Sequence, residues 1–502
     1  MSLPTHVSVA VVGSGFAGLG TAIALKRSGR HDFVVLERAD DVGGTWRDNT
    51  YPGCACDVPS HLYSFSFAPN PSWSRSFSPQ PEIWAYLRRT AEDFGVLPHV
   101  HFGTELLDAT WVPERQHWAV STSRGELTAD SVVLGTGPLS EPTTPALQGI
   151  SSFQGTTFHS AQWDHGWSAK GRRVAVIGTG ASAIQFVPHL QKDAASLVVF
   201  QRTAPWVLPR MDRAISPLEQ RLYARLPLLQ KAARTAIYWG RESHILGFRY
   251  QPRLMRAAQR LAVKHLAAQV SDPVTRDKLT PRFTLGCKRV LLSNDYYRAL
   301  DRPNAEVVTD RIVEVVPTGI VTEAADGTRT AHEVDTIVFG TGFSVTDPPV
   351  AQRLHAGGRS LKEHWGATGM QALHGLTVAG FPNLFFLVGP NTGLGHNSIV
   401  LMVEAQVRHL LKALDAMEAS GAGALEPRAE VQAAYNARLQ GELAKTVWNR
   451  GGCSSWYLDS AGRNTTLWPT FTWMFRRELV AFDLAEYVAQ PRVDRPAQAP
   501  AA

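Results

Sequence analysis

Two glycine runs carry the first legible chemistry. Gly13, Gly15 and Gly18 form GxGxxG, while Gly178, Gly180 and Ala183 form GxGxxA. In such a loop one glycine makes the turn, one admits a pyrophosphate to the backbone, and the third position keeps helix close to strand. The phosphate then meets unpaired N–H groups at a helix N-terminus. Glycine turns are common, so either run alone is a weak signal. What separates them is the residue 24 positions after the first glycine, Glu37 in one run and Arg202 in the other. A carboxylate accepts hydrogen bonds from ribose hydroxyls and repels a 2′-phosphate, whereas a guanidinium pairs with that phosphate in bidentate geometry. The second site is therefore expected to take NADPH. The first suits FAD or NAD, and FAD with NADPH is the economical pairing.

Two longer motifs resemble a known family. The run GGTWRDNTYPGCACD, Gly43 to Asp57, resembles the long motif of type I Baeyer-Villiger monooxygenases, and FQGTTFHSAQWD, Phe153 to Asp164, resembles their fingerprint. The similarity extends over nearly the whole chain, through GCKRVLLSNDYY, GTGF, LFFLVGPNTGLGH and SSWY. Related flavin monooxygenases that oxidise nitrogen or sulfur carry Tyr or Phe where Trp163 stands. The pair Trp163 and Asp164 thus favours the ketone-oxidising branch.

The resemblance implies that NADPH reduces FAD and that dioxygen adds at the flavin C4a carbon. The resulting C4a-peroxyflavin would attack a ketone and give an ester or lactone. Such an anion needs a fixed positive charge in a dry site. Arg289 matches the family's arginine for that role, and Asp57 matches its carboxylate partner. An ordinary salt bridge between domains is the plainer reading of that pair. For FAD the resemblance points to Phe16, Ala17, Glu37, Gly44, Thr45, Trp46, Asp57, Tyr63 and the backbone at Leu106, beside Gly13, Gly15 and Gly18. For NADPH it points to Thr179, Ser182, Gln185, Thr203, Lys288, Arg289 and Trp456, beside Gly178, Gly180, Ala183 and Arg202. The resemblance also implies that His159, Trp163 and Asp164 couple domain positions; a lone histidine such as His159 is in any case more often structural than a general base.

Three rivals remain. A nitrogen- or sulfur-oxidising flavin monooxygenase would share both cofactors. A flavin disulfide reductase would need two bridgeable cysteines beside the flavin, usually four residues apart, yet Cys54 and Cys56 are separated by one residue. A non-catalytic flavoprotein could dock on anionic lipid through basic helices.

These residues must be positioned by a large fold. With 502 residues, 44% hydrophobic and 19% charged, the chain builds about three domains without staples. The segments Val7–Arg38 and Arg172–Arg202 each read as strand, glycine turn, helix and strand. The expected class is α/β, with two Rossmann-type dinucleotide-binding domains and a helical insertion in the second. The FAD domain is expected from residues 1–145 and 344–489, and the NADPH domain from 146–207 and 281–343. The insertion covers 208–280, with Pro227 and Gly240 punctuating its helices, and 490–502 reads as a disordered tail. HEVDTIVFGTGF, His332 to Phe343, echoes SVVLGTGP, Ser131 to Pro138, as if the path returned to the first domain.

Net charge is +6, but Leu208 to Thr280 holds 14 Lys or Arg against 5 Asp or Glu, which is +9. Such charge is more often a solvated face than a membrane contact, and no nucleic-acid module accompanies it. No apolar run spans a bilayer. The four cysteines show no zinc or redox spacing and no metal set stands out, so a reducing, cytoplasmic compartment is the simplest expectation. The partners are a ketone and dioxygen.

Overall fold

The computed structural model describes residues 2–366 and 368–493. Its first sheet grows from β1 (His6–Val12), which runs through the glycine turn into α1 (Phe16–Arg27) and on to β2 (Phe33–Leu36). β1 and β2 are parallel, with Val9 opposite Phe33. Both are rich in Val because both faces of the sheet are buried, one in the core under α1 and the other in a core shared with later strands. Nine of the twelve residues of α1 are buried. That leaves the helix nearly without a polar side, wedged between the sheet and the 22-residue helix Ile399–Ser420.

Gly125–Leu134 pairs parallel to β1, then antiparallel to His117–Thr122, which pairs with Leu106–Val112. Leu354–Ala356 and Leu384–Phe386 join from late in the sequence, so both ends of the chain build this sheet.

The second sheet repeats the plan with β3 (Arg173–Ile177), α2 (Ala183–Asp193) and β4 (Ser196–Phe200). Its order is Ala305–Val308, β4, β3, Thr336–Phe339, Thr156–His159, all parallel. Thr336–Phe339 is thus a strand of this sheet and not yet the return to the first. The crossing begins at Phe343, which bridges to Pro142. The echo of the two GTG triplets has a packing cause. A Cβ on Gly13 would lie 2.9 Å from the Gly135 carbonyl oxygen, and one on Gly178 would lie 2.4 Å from that of Gly340. Each triplet closes its own phosphate loop.

The insertion folds as α3 (Pro217–Arg225), α4 (Pro227–Glu242) and α5 (Pro252–Ala267), followed by the short helix Pro273–Lys278. All four begin with proline at the first turn, where a missing N–H costs nothing. Pro227 starts a helix as expected. Gly240 does not end one; it lies within α4.

Two expectations are corrected. Residues 490–493 are ordered: Tyr487–Pro491 pairs antiparallel with Ala422–Pro427, Arg492 N–H donates to Gly421 O, and Val493 N–H to Gln116 Oε1. Backbone pairing holds a segment that has little to bury, and 494–502 lie outside the described residues. Cys287 and Cys453 form a disulfide across 166 residues, a pairing that spacing in sequence could not reveal. No helix among the described residues is long and apolar enough to cross a membrane.

Candidate functional site

Asp57 lies in the long loop between the turn Thr45–Asp48 and the helix Gln80–Asp93. That loop is held by Cys56 N–H to Ser78 O and by Ala55 N–H to the side-chain oxygen of Gln185 on α2. Arg289 follows Cys287 by two residues, just before Leu291–Leu292 pairs with Val207–Leu208. The two side chains meet in a bidentate pair, Nε to Oδ2 and Nη2 to Oδ1, both 2.7 Å. They keep 30% and 28% of their side-chain exposure, so the pair lines an opening. The charge of Asp57 raises the arginine far above its ordinary value despite burial. Burial pushes the Asp57 carboxyl up, but the charges of Arg289 and Arg241 and the Arg289 hydrogen bonds hold it below the usual range. Both groups stay ionised at every working pH.

Two neighbours are not among the expected site residues. Arg241, near the end of α4, has a buried Nε with no hydrogen-bond partner. Burial lowers its pKa, Asp57 attracts it and Arg289 repels it, which places a second guanidinium near the pair. The buried Tyr457 hydroxyl is likewise unpaired, its pKa pushed up to about 12 by burial and tempered by Arg289.

The first phosphate loop fits a dinucleotide. A Cβ on Gly18 would lie 1.7 Å from the Gly13 carbonyl oxygen, so only glycine allows this helix to pack. Gly15 and Gly44 face each other with no side chain between them. The first turn of α1 has no acidic residue and no side-chain cap, which leaves its N–H groups for an anion. Glu37 is buried, and each oxygen has two protein donors: Ser14 N–H and Oγ–H on Oε2, Ala39 N–H and Arg47 Nη1 on Oε1. A ribose must therefore displace one of these donors. Thr45 and Trp46 start the turn Thr45–Asp48, and Trp46 Nε1 donates to Tyr63 Oη at 3.1 Å. Tyr63 in turn meets Phe16 edge-on, while Ala17 is buried. Leu106 begins a sheet strand, and its carbonyl accepts from Arg353.

The second loop is open. A Cβ on Gly180 would touch nothing within 4 Å, and Ser182 and Ala183 begin α2 with no acid in its first turn. Arg202 and Thr203 are exposed beside it, and Thr179 Oγ1 donates to Thr203 O. Lys288 lies near Arg202, its pKa lowered by burial and then by that arginine, and no carboxylate pairs with either among the described residues. Two cations without an acid suit a phosphate monoester. The Gln185 amide bridges the two motifs, accepting from Ala55 N–H and donating to Ala181 O of the second loop.

A sequence profile of the flavin-binding monooxygenase-like family matches residues 6–356. The chain belongs to this family. A protein of Streptomyces coelicolor named Baeyer-Villiger monooxygenase is 52% identical over 496 residues, 98% of this chain and 94% of that one. One of Pseudomonas aeruginosa, with the same name, is 50% identical over 485 residues, covering 96% and 91%. Among solved structures, an oxidised steroid monooxygenase bound to NADP has 30% identity and a TM-score of 0.83, covering 97% of this chain and 100% of that one. A cyclohexanone monooxygenase from Rhodococcus sp. Phi1, bound to NADP+, has 29% identity and a TM-score of 0.86 with the same coverage.

In this flavin-binding monooxygenase the fingerprint residues lie apart from the Arg289 pair. His159 ends a strand of the second sheet; its Nδ1 accepts from Ala161 N–H, and burial lowers its pKa. Trp163 packs against Phe158, Trp167 and Phe186, and Asp164 accepts from Gly166 N–H in an exposed turn. Trp456 stacks obliquely on Tyr457 and is 42% exposed. The disulfide joins the loop bearing Lys288 and Arg289 to the loop bearing Trp456. Cys54 and Cys56 are free, and burial pushes both thiols up, Cys54 to about 12. Such thiols give no disulfide-reductase dyad.

Proposed function

We propose that the chain is a Baeyer-Villiger monooxygenase that uses NADPH, FAD and dioxygen to place one oxygen atom beside a ketone carbonyl, giving an ester or lactone. The observation that carries this reading is the bidentate Arg289–Asp57 pair, lining an opening near a second guanidinium. Bound by the first phosphate loop and Glu37, FAD would supply the oxygen-activating chemistry, with NADPH as the source of reducing equivalents. Arg289 holds permanent positive charge where negative charge builds on oxygen, and it offers that charge without being a ready proton donor. Asp57 fixes the plane of the guanidinium, and Tyr457 and the Arg241 stem help exclude water. Gly13, Gly15 and Gly44 admit one pyrophosphate, while Arg202 and Lys288 receive the 2′-phosphate that distinguishes NADPH from NADH.

A cytoplasmic location follows from the coenzyme, since reduced nicotinamide is an intracellular reagent. The Cys287–Cys453 bond would have to persist there against cellular thiols, and Cys287 is fully buried. Arg289→Ala tests the reading. The variant is expected to oxidise NADPH and release hydrogen peroxide without ester, measured by coenzyme absorbance and product chromatography. Ester at the wild-type rate would overturn the role of Arg289.

A further inference from the structure

α4 exposes large apolar residues and turns several polar ones inward. A helix on a water-facing surface ordinarily buries its apolar stripe and exposes its polar one. Here Gln230 donates to Asn70 O, Arg234 donates to His61 O and Ser64 O, and Glu242 is buried, beside the core residue Tyr238. The outward face carries Leu228, Leu229 and Trp239, of which Leu228 is 79% and Trp239 56% exposed. α3 continues the pattern. Gln220 donates inward to Trp73 O and Tyr223 is buried, while Leu218, Leu222 and the joint residue Leu226 stand exposed.

The outward charge of α3 and α4 is mostly positive. Arg221, Arg225 and Lys231 are exposed, while of the two acids Glu219 is paired with Arg213 and Glu242 is buried. Arg221, Arg225 and Lys231 sit among the exposed leucines and make no ion pair among the described residues.

We propose that the outer face of α3 and α4 docks on an anionic lipid bilayer. Exposed leucines and a tryptophan between cations match an interface of acyl chains below and phosphates above, where Trp is favoured and each Lys or Arg adds attraction. Nucleic acid would leave the leucines unused. A two-fold dimer through this face would set Arg221, Arg225 and Lys231 against their own copies, while Glu219 is already paired with Arg213. The helices lie on the bilayer and do not cross it. α4 also carries Arg241 to the neighbourhood of Asp57 and Arg289, so the docking face and the site share one element.

Flotation of the holoenzyme with vesicles decides the matter. Vesicles of phosphatidylcholine with a third phosphatidylglycerol should carry the protein at low salt, with about tenfold less bound at high salt or on phosphatidylcholine alone. The double variant Leu228→Ser, Trp239→Ser and the triple variant Arg221→Gln, Arg225→Gln, Lys231→Gln should each lower binding about tenfold. Both should oxidise NADPH with a small water-soluble ketone at the wild-type rate, which shows that they are folded. Wild-type protein that stays unbound to anionic vesicles would overturn the proposal. So would binding that neither variant nor salt alters, or a dimer that the leucine variant dissolves while vesicles capture nothing.

Discussion

Arg289 has two equal contacts to one carboxylate, and that geometry predicts an asymmetry between removing either partner. Asp57→Asn leaves a half-buried guanidinium with a weaker acceptor and should cost about 2–4 kcal/mol of stability, read from thermal or urea unfolding. The pH dependence has a definite sign. Asp57 titrates below its unfolded value, so the pair's contribution is complete above that value, near pH 4, and is lost as pH falls through the folded pKa. The difference between wild type and Asp57→Asn should therefore shrink only in acid. At the second loop, Lys288→Ala or Arg202→Ala should raise KM for NADPH about 10–100-fold and leave that for NADH nearly unchanged, in steady-state kinetics with either coenzyme. Asp57, Arg289 and Lys288 were legible because they sit in motifs. Arg241 was not, since no spacing rule connects the end of an insertion helix to a loop 184 residues earlier. The position of Gln185 on a first helical turn likewise does not say which backbone its amide bonds, here that of Ala55 and Ala181.

The elements were legible where local rules suffice. Continuous Val-rich strands, glycine turns and an arginine or glutamate at the end of the second strand marked both βαβ units. The helical period of the insertion was equally plain. Period alone does not say which side of a helix faces inward, and on α4 the inward side mixes Tyr238 with the polar Arg234 and Gln230. Gly240 looked like punctuation, yet it lies in a helix with open space around it. Gly240→Ala should therefore stabilise the fold by about 0.5–1 kcal/mol, seen as a higher urea midpoint with an unchanged slope.

On the scale of the molecule, the insertion is pinned to the late part of the chain through Glu242. Its carboxylate accepts from Asn397 Nδ2 at 2.7 Å and from Thr472 N–H at 3.0 Å, with His396 Nε2 at 3.5 Å. Burial pushes that carboxyl up, and these partners still hold it below its ordinary value. Glu242→Ala should cost about 3 kcal/mol and expose the insertion to protease, followed by limited proteolysis. Against Glu242→Gln, the wild-type advantage should be complete above about pH 4.5 and fade as pH falls through the lower folded pKa. Long-range pairings of this kind, like the disulfide, join segments whose sequences carry no mark of each other.

Asp57 and Arg289 stand 232 residues apart, one after the first dinucleotide unit and one after the insertion into the second. Neither phosphate loop depends on their meeting. In the role proposed for it, the ion pair would work as an interlock: a jolt to the way the two halves fit would silence product while coenzyme still drained away, and such damage would announce itself as a leak before it showed as a dead enzyme.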